Sequence, residues 1–125
     1  MGCVALATSA DLVDWEIKKP LYNPYLYDTL ECLDLFKMNN NWYMIFSTYT
    51  RWWENRYVIS SSQDGPFRSF KDEILDNRSY YAAKTVSNGK RRFLVGWAAR
   101  RKDEKNMNGE ELWLFMNYFL KKMAN

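Results

Sequence analysis

Short apolar runs and turn-forming residues alternate along this chain in the manner of antiparallel strands. The runs are five to eight residues long and rich in β-branched and aromatic residues. A buried helix needs a longer run, so the pattern favours strands. The predicted strands are residues 4–8, 33–38, 42–48, 56–61, 81–86 and 91–98.

Two turns join neighbouring strands into predicted hairpins. Residues 39–41 are all asparagine and separate the second strand from the third, and Ser-Asn-Gly-Lys at 87–90 separates the last two. Asparagine and glycine tolerate the positive φ angles of tight hairpin turns.

A repeat of about fifty residues underlies these strands. A serine, an acid two residues on and then an aromatic ring occur from Ser9 and again, 53 positions later, from Ser62. The strand at 42–46 recurs at 92–97. A β repeat of roughly 40–50 residues has the size of one four-stranded propeller blade, so the chain is predicted to hold about two blades. The acids of the repeated turn, Asp11 and Asp64, are expected to bind local backbone rather than do chemistry.

The C-terminal segment follows a different pattern. From Asn108, which can cap a helix with Glu111 three residues on, apolar residues recur at spacings of three and four. They are Leu112, Phe115, Met116, Phe119, Leu120 and Met123. The sequence therefore predicts an all-β partial propeller at residues 1–98, then a basic linker and an amphipathic helical tail at residues 99–125.

Composition excludes several classes of protein. The chain has 125 residues, enough for one domain, and its 18% aromatic content excludes disorder. No apolar run is long enough to span a membrane, so no membrane partner is expected. No start typical of a secretory signal is present, and the compartment stays open between the cytoplasm and a secreted parent enzyme. The absence of histidine excludes Ser/His/Asp triads and imidazole zinc sites, and no cofactor or metal is implied.

The net charge of +3 comes from one segment of the chain, because residues 84–105 hold eight basic side chains and two acidic ones. This basic cluster resembles a phosphate-binding surface, but a predicted strand at 93–97 lies inside it. Basic residues at strand ends are more often solvated rim charges, so no nucleic-acid partner is expected.

Glu31 is the main candidate for chemistry. It stands among apolar residues at the start of a strand, where burial would suit a carboxyl group to general-acid work. The alternative is an acid that caps a turn or pairs with an arginine. Asp34, three positions on, is expected on the opposite face of the strand, so the two do not form a carboxylate pair. Cys32 is expected to be a small buried residue.

Aromatic side chains offer two interpretations. They can provide stacking faces for sugar rings, or they can simply pack the core. The tryptophans concerned are Trp42, Trp52, Trp53 and Trp97.

Three segments of the chain carry recognisable motifs. Residues 2–9 are followed by Asp-Leu and Trp-Glu, Glu-Cys-Leu-Asp at 31–34 is followed by a Trp-Tyr strand, and Tyr-Ala-Ala-Lys-Thr at 81–85 is followed by the strand at 91–97. Together, over residues 2–97, they resemble glycoside hydrolase family 32, the β-fructosidases that include invertase, levanase, inulinase and sucrose-phosphate hydrolase. The first segment resembles the strand and turn before that family's acid motif, the second is similar to its Glu-Cys-Pro-Asp motif, and the third resembles the next blade.

The resemblance implies a five-bladed β-propeller and a retaining mechanism in which Glu31 is the general acid/base. It also implies a sugar-binding role for Asp76, and the stacking interpretation adds Trp97. The family's nucleophile lies in an Asn-Asp-Pro motif and a stabilising aspartate in an Arg-Asp-Pro motif, and neither occurs in this sequence. Leu33 replaces the proline of the acid motif, which removes a backbone restraint after Glu31.

We therefore expect part of a hydrolase acting on small or polymeric fructose-containing sugars, from the end of blade two through blade four and inactive alone. A non-catalytic carbohydrate-binding or interaction module is the alternative, and a related propeller glycosidase acting on arabinose polymers is a further one. The oligomeric state stays open.

Overall fold

Every regular element of the described chain is a β-strand. The computed structural model describes residues 1–49, 53–71, 73–75 and 80–98, together with the backbone of residues 114–119. The strands are β1 Ala7–Thr8, β2 Glu16–Ile17, β3 Glu31–Met38, β4 Asn41–Tyr49, β5 Trp53–Ser60, β6 Tyr80–Ser87, β7 Arg92–Ala98 and β8 Leu114–Phe119. The predicted all-β class is confirmed. Within these residues no helix is present that could cross a membrane.

The strands form three antiparallel sheets, which we call the first sheet (β1–β2), the second (β3–β4–β5) and the third (β6–β7–β8). A further segment continues the second sheet beyond β5: Ile59 and Arg68 exchange two backbone hydrogen bonds, and the Tyr57 N–H donates to the Glu73 carbonyl at 2.9 Å. The second sheet therefore has the four-stranded layout of a propeller blade.

Both predicted hairpins are confirmed. Met38 pairs with Asn41 across a two-residue turn in which Asn39 has a φ of 55°. In the β6–β7 hairpin, Gly89 has a φ of 87° and Asn88 Oδ1 accepts the N–H groups of Lys90 and Arg91. Asparagine and glycine accept these positive φ angles at low cost, which explains why they occupy the turns.

The serine-acid turn also repeats in the structure. Asp11 Oδ1 accepts the N–H groups of Val13 and Asp14, each at 2.9 Å, and the Ser9 hydroxyl at 3.0 Å. These three hydrogen bonds, the Val13 one most strongly, lower the pKa of Asp11. Ser62 Oγ likewise accepts the Asp64 N–H in the turn that follows β5. The predicted backbone role of Asp11 is therefore confirmed.

Strand β4 is buried on both faces and separates two apolar layers. Met44 and Phe46 point into the first layer, while Tyr43 and Ile45 point into the second, as expected from the alternation of side chains along a strand. The first layer contains Val4, Tyr22, Tyr27, Met44, Phe46, Val58 and Phe67. The second contains Phe36, Tyr43, Ile45, Tyr80, Ala83 and Leu94, and it joins the second and third sheets.

The predicted C-terminal helix is wrong over Leu114–Phe119, which forms β8 and pairs with β7 from Ala98↔Leu114 to Phe93↔Phe119. A short apolar run is compatible with a helix or a strand, and periodicity alone does not decide between them. The open edge of β7 offers unpaired backbone groups, and pairing with them favours the strand. The rest of the predicted tail, including Asn108, lies outside the described residues.

Replacing Ile45 by alanine is expected to lower the free energy of unfolding by about 2–5 kcal/mol, because Ile45 is fully buried between the second and third sheets. Val86→Ala is the control, since Val86 is 57% exposed. Chemical denaturation of the purified chain measures both. Equal losses in the two variants would contradict the packing of these sheets against each other.

Candidate functional site

A β-bulge at the start of β3 determines where Glu31 and Asp34 point. Glu31 pairs with Ser47 and Asp34 pairs with Ile45, so three steps along β3 match two steps along β4. The extra residue leaves Cys32 with a φ of 53°. Glu31 and Asp34 therefore lie on the same face of the second sheet, and the expectation that they occupy opposite faces is wrong.

Strand β6 carries the same bulge fifty positions later. Tyr81 pairs with Trp97 and Lys84 with Val95, and Ala82 has a φ of 55°. Tyr81 therefore occupies in β6 the position that Glu31 occupies in β3. The sequence reasoning gave Tyr81 no role, although the fifty-residue repeat already relates it to Glu31.

The two equivalent side chains meet across the junction between the sheets. The Tyr81 hydroxyl donates a hydrogen bond to Glu31 Oε2 at 2.7 Å. Burial, and then this bond to the carboxylate, raises the pKa of Tyr81 above its ordinary value of 10.0. Glu31 itself is exposed, so the burial considered for this carboxyl group does not occur. Cys32 is exposed as well and is not the buried residue expected.

Other polar contacts fasten β3 to β6. Asp34 Oδ2 accepts the Thr85 N–H at 2.6 Å, and the Lys84 ammonium donates to the Leu33 carbonyl. The Asp34 carboxylate therefore accepts a hydrogen bond from the neighbouring sheet. Among the described contacts, the partner of Glu31 is the Tyr81 hydroxyl and not an arginine.

Aromatic rings surround the Tyr81–Glu31 contact. The Trp53 ring lies 5.8 Å from that of Tyr81 and 6.0 Å from that of Tyr49, between ring centroids. Trp97 is the register partner of Tyr81 on β7 and is 47% exposed. Trp42, in contrast, packs against the first apolar layer.

Two predicted residues, Asp76 and Trp52, lie outside the described residues. Trp97 is exposed one strand away from Tyr81, and its predicted role in binding sugar stays a prediction. No group of three or more Asp, Glu or Cys side chains in the described chain is arranged to hold a metal ion.

Part of the basic cluster packs internally. The Arg92 guanidinium lies over the Phe36 ring, 4.2 Å from its centroid, and donates to Thr85 Oγ1 at 2.7 Å. Lys90 and Arg91 are exposed beside the hairpin turn. The predicted members from Arg100 onward lie outside the described residues.

The site is thus an exposed carboxyl group, aimed by a phenol and bordered by aromatic rings, at the end of two neighbouring blades. A solved structure shares this fold: "Crystal structure of a thermostable family-43 glycoside hydrolase" matches with a TM-score of 0.50 and 12% sequence identity. The match covers 69% of this chain and 33% of that one, so the chain spans about one third of that structure. The chain therefore shares its fold with a propeller glycoside hydrolase.

The family match is more specific than the shared fold. All 125 residues match the family model for the "Glycosyl hydrolases family 32 N-terminal domain". The chain therefore belongs to glycosyl hydrolase family 32, and the predicted resemblance is confirmed. No curated protein sequence matches the chain.

Glu31→Gln is expected to lower the pKa of Tyr81 toward 10.0, because it removes the negative charge that the Tyr81 phenolate would face. Carbon NMR of the tyrosine rings measures the titration, with the Tyr81 signal assigned by Tyr81→Phe. Asp34→Asn is the matched control, because Asp34 binds the Thr85 N–H instead. An equal shift in both variants would show that the Tyr81–Glu31 contact is not specific.

Proposed function

We propose that this chain is the part of a β-fructosidase that carries the acid/base glutamate, from the end of blade two through blade four. The observation that carries this proposal is the position of Glu31 in a family 32 chain: it opens β3 within Glu-Cys-Leu-Asp, is exposed and contacts Tyr81 of the third sheet. The substrates are small or polymeric sugars that contain fructose.

The proposed mechanism uses Glu31 twice. It first gives its proton to the glycosidic oxygen as the bond to the anomeric carbon breaks, while a nucleophilic carboxylate bonds to that carbon. It then takes a proton from the water that releases the sugar. Retaining enzymes hold the two carboxyl groups about 5–5.5 Å apart. Tyr81 fixes the direction of the Glu31 carboxyl group through its hydrogen bond to Oε2.

The nucleophile is not expected within these 125 residues, because neither Asn-Asp-Pro nor Arg-Asp-Pro occurs in them. We therefore propose that the chain alone has no hydrolytic activity. Asp76 and Trp97 are proposed to contact the sugar, the first by hydrogen bonds and the second by stacking.

Two assays test the proposal. The isolated chain is expected to leave sucrose, levan and inulin unhydrolysed. A chimera in which residues 2–97 replace the matching segment of an active family 32 β-fructosidase is expected to hydrolyse them, and Glu31→Gln is expected to reduce its kcat by about 10²–10⁴-fold.

Glu16→Gln is the matched control in the chimera, because Glu16 is an exposed glutamate of β2 that pairs with Lys18. Its kcat is expected to stay at the parent level. A chimera that keeps full activity with Glu31→Gln would refute the acid/base role. Turnover by the isolated chain would refute its proposed inactivity.

A non-catalytic carbohydrate-binding module is the second candidate, favoured by the exposed Trp97 and Tyr49 near the site. It requires no nucleophile. Calorimetric titration with fructans and other glycans separates the two candidates. The β-fructosidase proposal predicts that Glu31→Gln weakens fructan binding, whereas binding that survives this change but disappears with Trp97→Ala supports the module.

A further inference from the structure

A buried polar pair, Ser47 on β4 and Asn55 on β5, lies behind the bulge of β6. The two residues are register partners and are 0% and 1% exposed. The Ser47 hydroxyl donates to Asn55 Oδ1 at 2.6 Å. Burying polar groups is unfavourable unless each one is hydrogen-bonded. The other hydrogen-bond partners of Ser47 and Asn55 therefore show which part of the structure the pair stabilises.

The other described hydrogen bonds of these two side chains go to three residues of β6, Tyr80, Ala82 and Ala83. The Ala82 N–H donates to Ser47 Oγ at 2.9 Å, and the Ala83 N–H donates to Asn55 Oδ1 at 3.3 Å. Asn55 Nδ2 donates to the Tyr80 carbonyl at 2.8 Å. A bulge leaves backbone groups without partners in the sheet ladder. The Ser47–Asn55 pair supplies those partners from the neighbouring blade.

Tyr81 lies between the residues that this pair binds. On one side, the Tyr80 carbonyl is bound by Asn55, and the Tyr80 ring packs so close to Gly96 that a Cβ there would lie 2.8 Å from it. On the other side, Ala82 has a φ of 55°, a conformation that alanine adopts only when its surroundings hold it. The direction of Tyr81 is therefore fixed from both ends.

Ser47 has no counterpart in the next unit of the repeat. Fifty positions after Ser47 the repeat has Trp97, which offers no hydroxyl group. The polar pair is thus not a general requirement of the blade. It occurs where one blade presents Glu31 and the next presents Tyr81.

We propose that Ser47 and Asn55 are positioning residues of the site, which hold the β6 bulge, set the Tyr81 hydroxyl against Glu31 and so aim the Glu31 carboxyl group. This inference rests on the proposed acid/base role of Glu31, but its test needs no catalytic activity.

Titration of Tyr81 reports whether the contact is in place. Besides Glu31, the titratable groups near its hydroxyl in the described chain are Cys32 on β3 and Tyr49 on β4. Ser47→Ala changes neither of these side chains. A fall in the pKa of Tyr81 would therefore report its movement away from Glu31 or into water.

The test compares Ser47→Ala with Ser60→Ala in the 125-residue chain. Ser60 is the matched control, because its buried hydroxyl also accepts one backbone N–H, that of Ser62, but at the far end of β5. Ser47→Ala is expected to lower the pKa of Tyr81 toward 10.0, whereas Ser60→Ala leaves it unchanged. Hydrogen exchange of the Ala82 and Ala83 amides should rise on the order of tenfold only in Ser47→Ala.

A folded Ser47→Ala chain in which Tyr81 titrates as in the parent would overturn the proposal. If that variant does not fold, amide hydrogen exchange in the unmutated chain tests the proposal instead. The Ala82 and Ala83 amides must then exchange as slowly as those of the β4–β5 ladder, and exchange at the rate of exposed turns would overturn the proposal. Retained activity of a Glu31→Gln chimera would refute the proposed function and leave these results unchanged.

Discussion

The site depends on one extra residue near the start of β3 and one near the start of β6. An uninterrupted β-strand places residues three apart on opposite faces, but the bulge brings Glu31 and Asp34 to the same face. The same bulge in β6 presents Tyr81 to Glu31. In both strands the extra residue adopts a left-handed conformation without being glycine, at Cys32 and Ala82. Such conformations persist when the surroundings impose them, and at Ala82 the surroundings include the Ser47 hydroxyl of the adjacent sheet.

Both apolar and polar contacts hold neighbouring blades together. The apolar layers supply most of the driving force, but burial of apolar area is not directional and does not fix how one sheet sits on the next. The polar contacts do: Asp34 binds the Thr85 N–H, and Ser47 binds the Ala82 N–H. On the other face of the second sheet, the Arg56 guanidinium binds Glu54 and Glu73, and Glu73 also accepts the Tyr27 hydroxyl. Burial and that hydrogen bond to Glu73 raise the pKa of Tyr27.

Much of the fold was predictable because its signals are local. Hairpins with asparagine or glycine turns, strands of five to eight residues and the repeated serine-acid turn are each encoded within a few positions. The β8 strand was not predictable, because its conformation depends on the free edge of β7. The bulges were not predicted, because reasoning from the alternation of side chains along a strand assumes an uninterrupted period of two residues. The residue types at Cys32 and Ala82 do not indicate an extra residue either. Ser47 and Asn55 gave no signal either, since a polar residue inside a strand usually faces water.

The exposure of Glu31 is compatible with the acid/base role proposed for it. A carboxyl group that must reach a glycosidic oxygen has to project from its own blade, so its strand provides direction rather than shielding. A fixed direction requires rigid support. The Tyr81 phenol contacts Glu31, the β6 bulge carries Tyr81, and the buried Asn55 amide binds the backbone beside that bulge. Leu33 stands where the family has proline. The Leu33 carbonyl accepts a hydrogen bond from the Lys84 ammonium, so a contact between the sheets is made at the position of the family's proline.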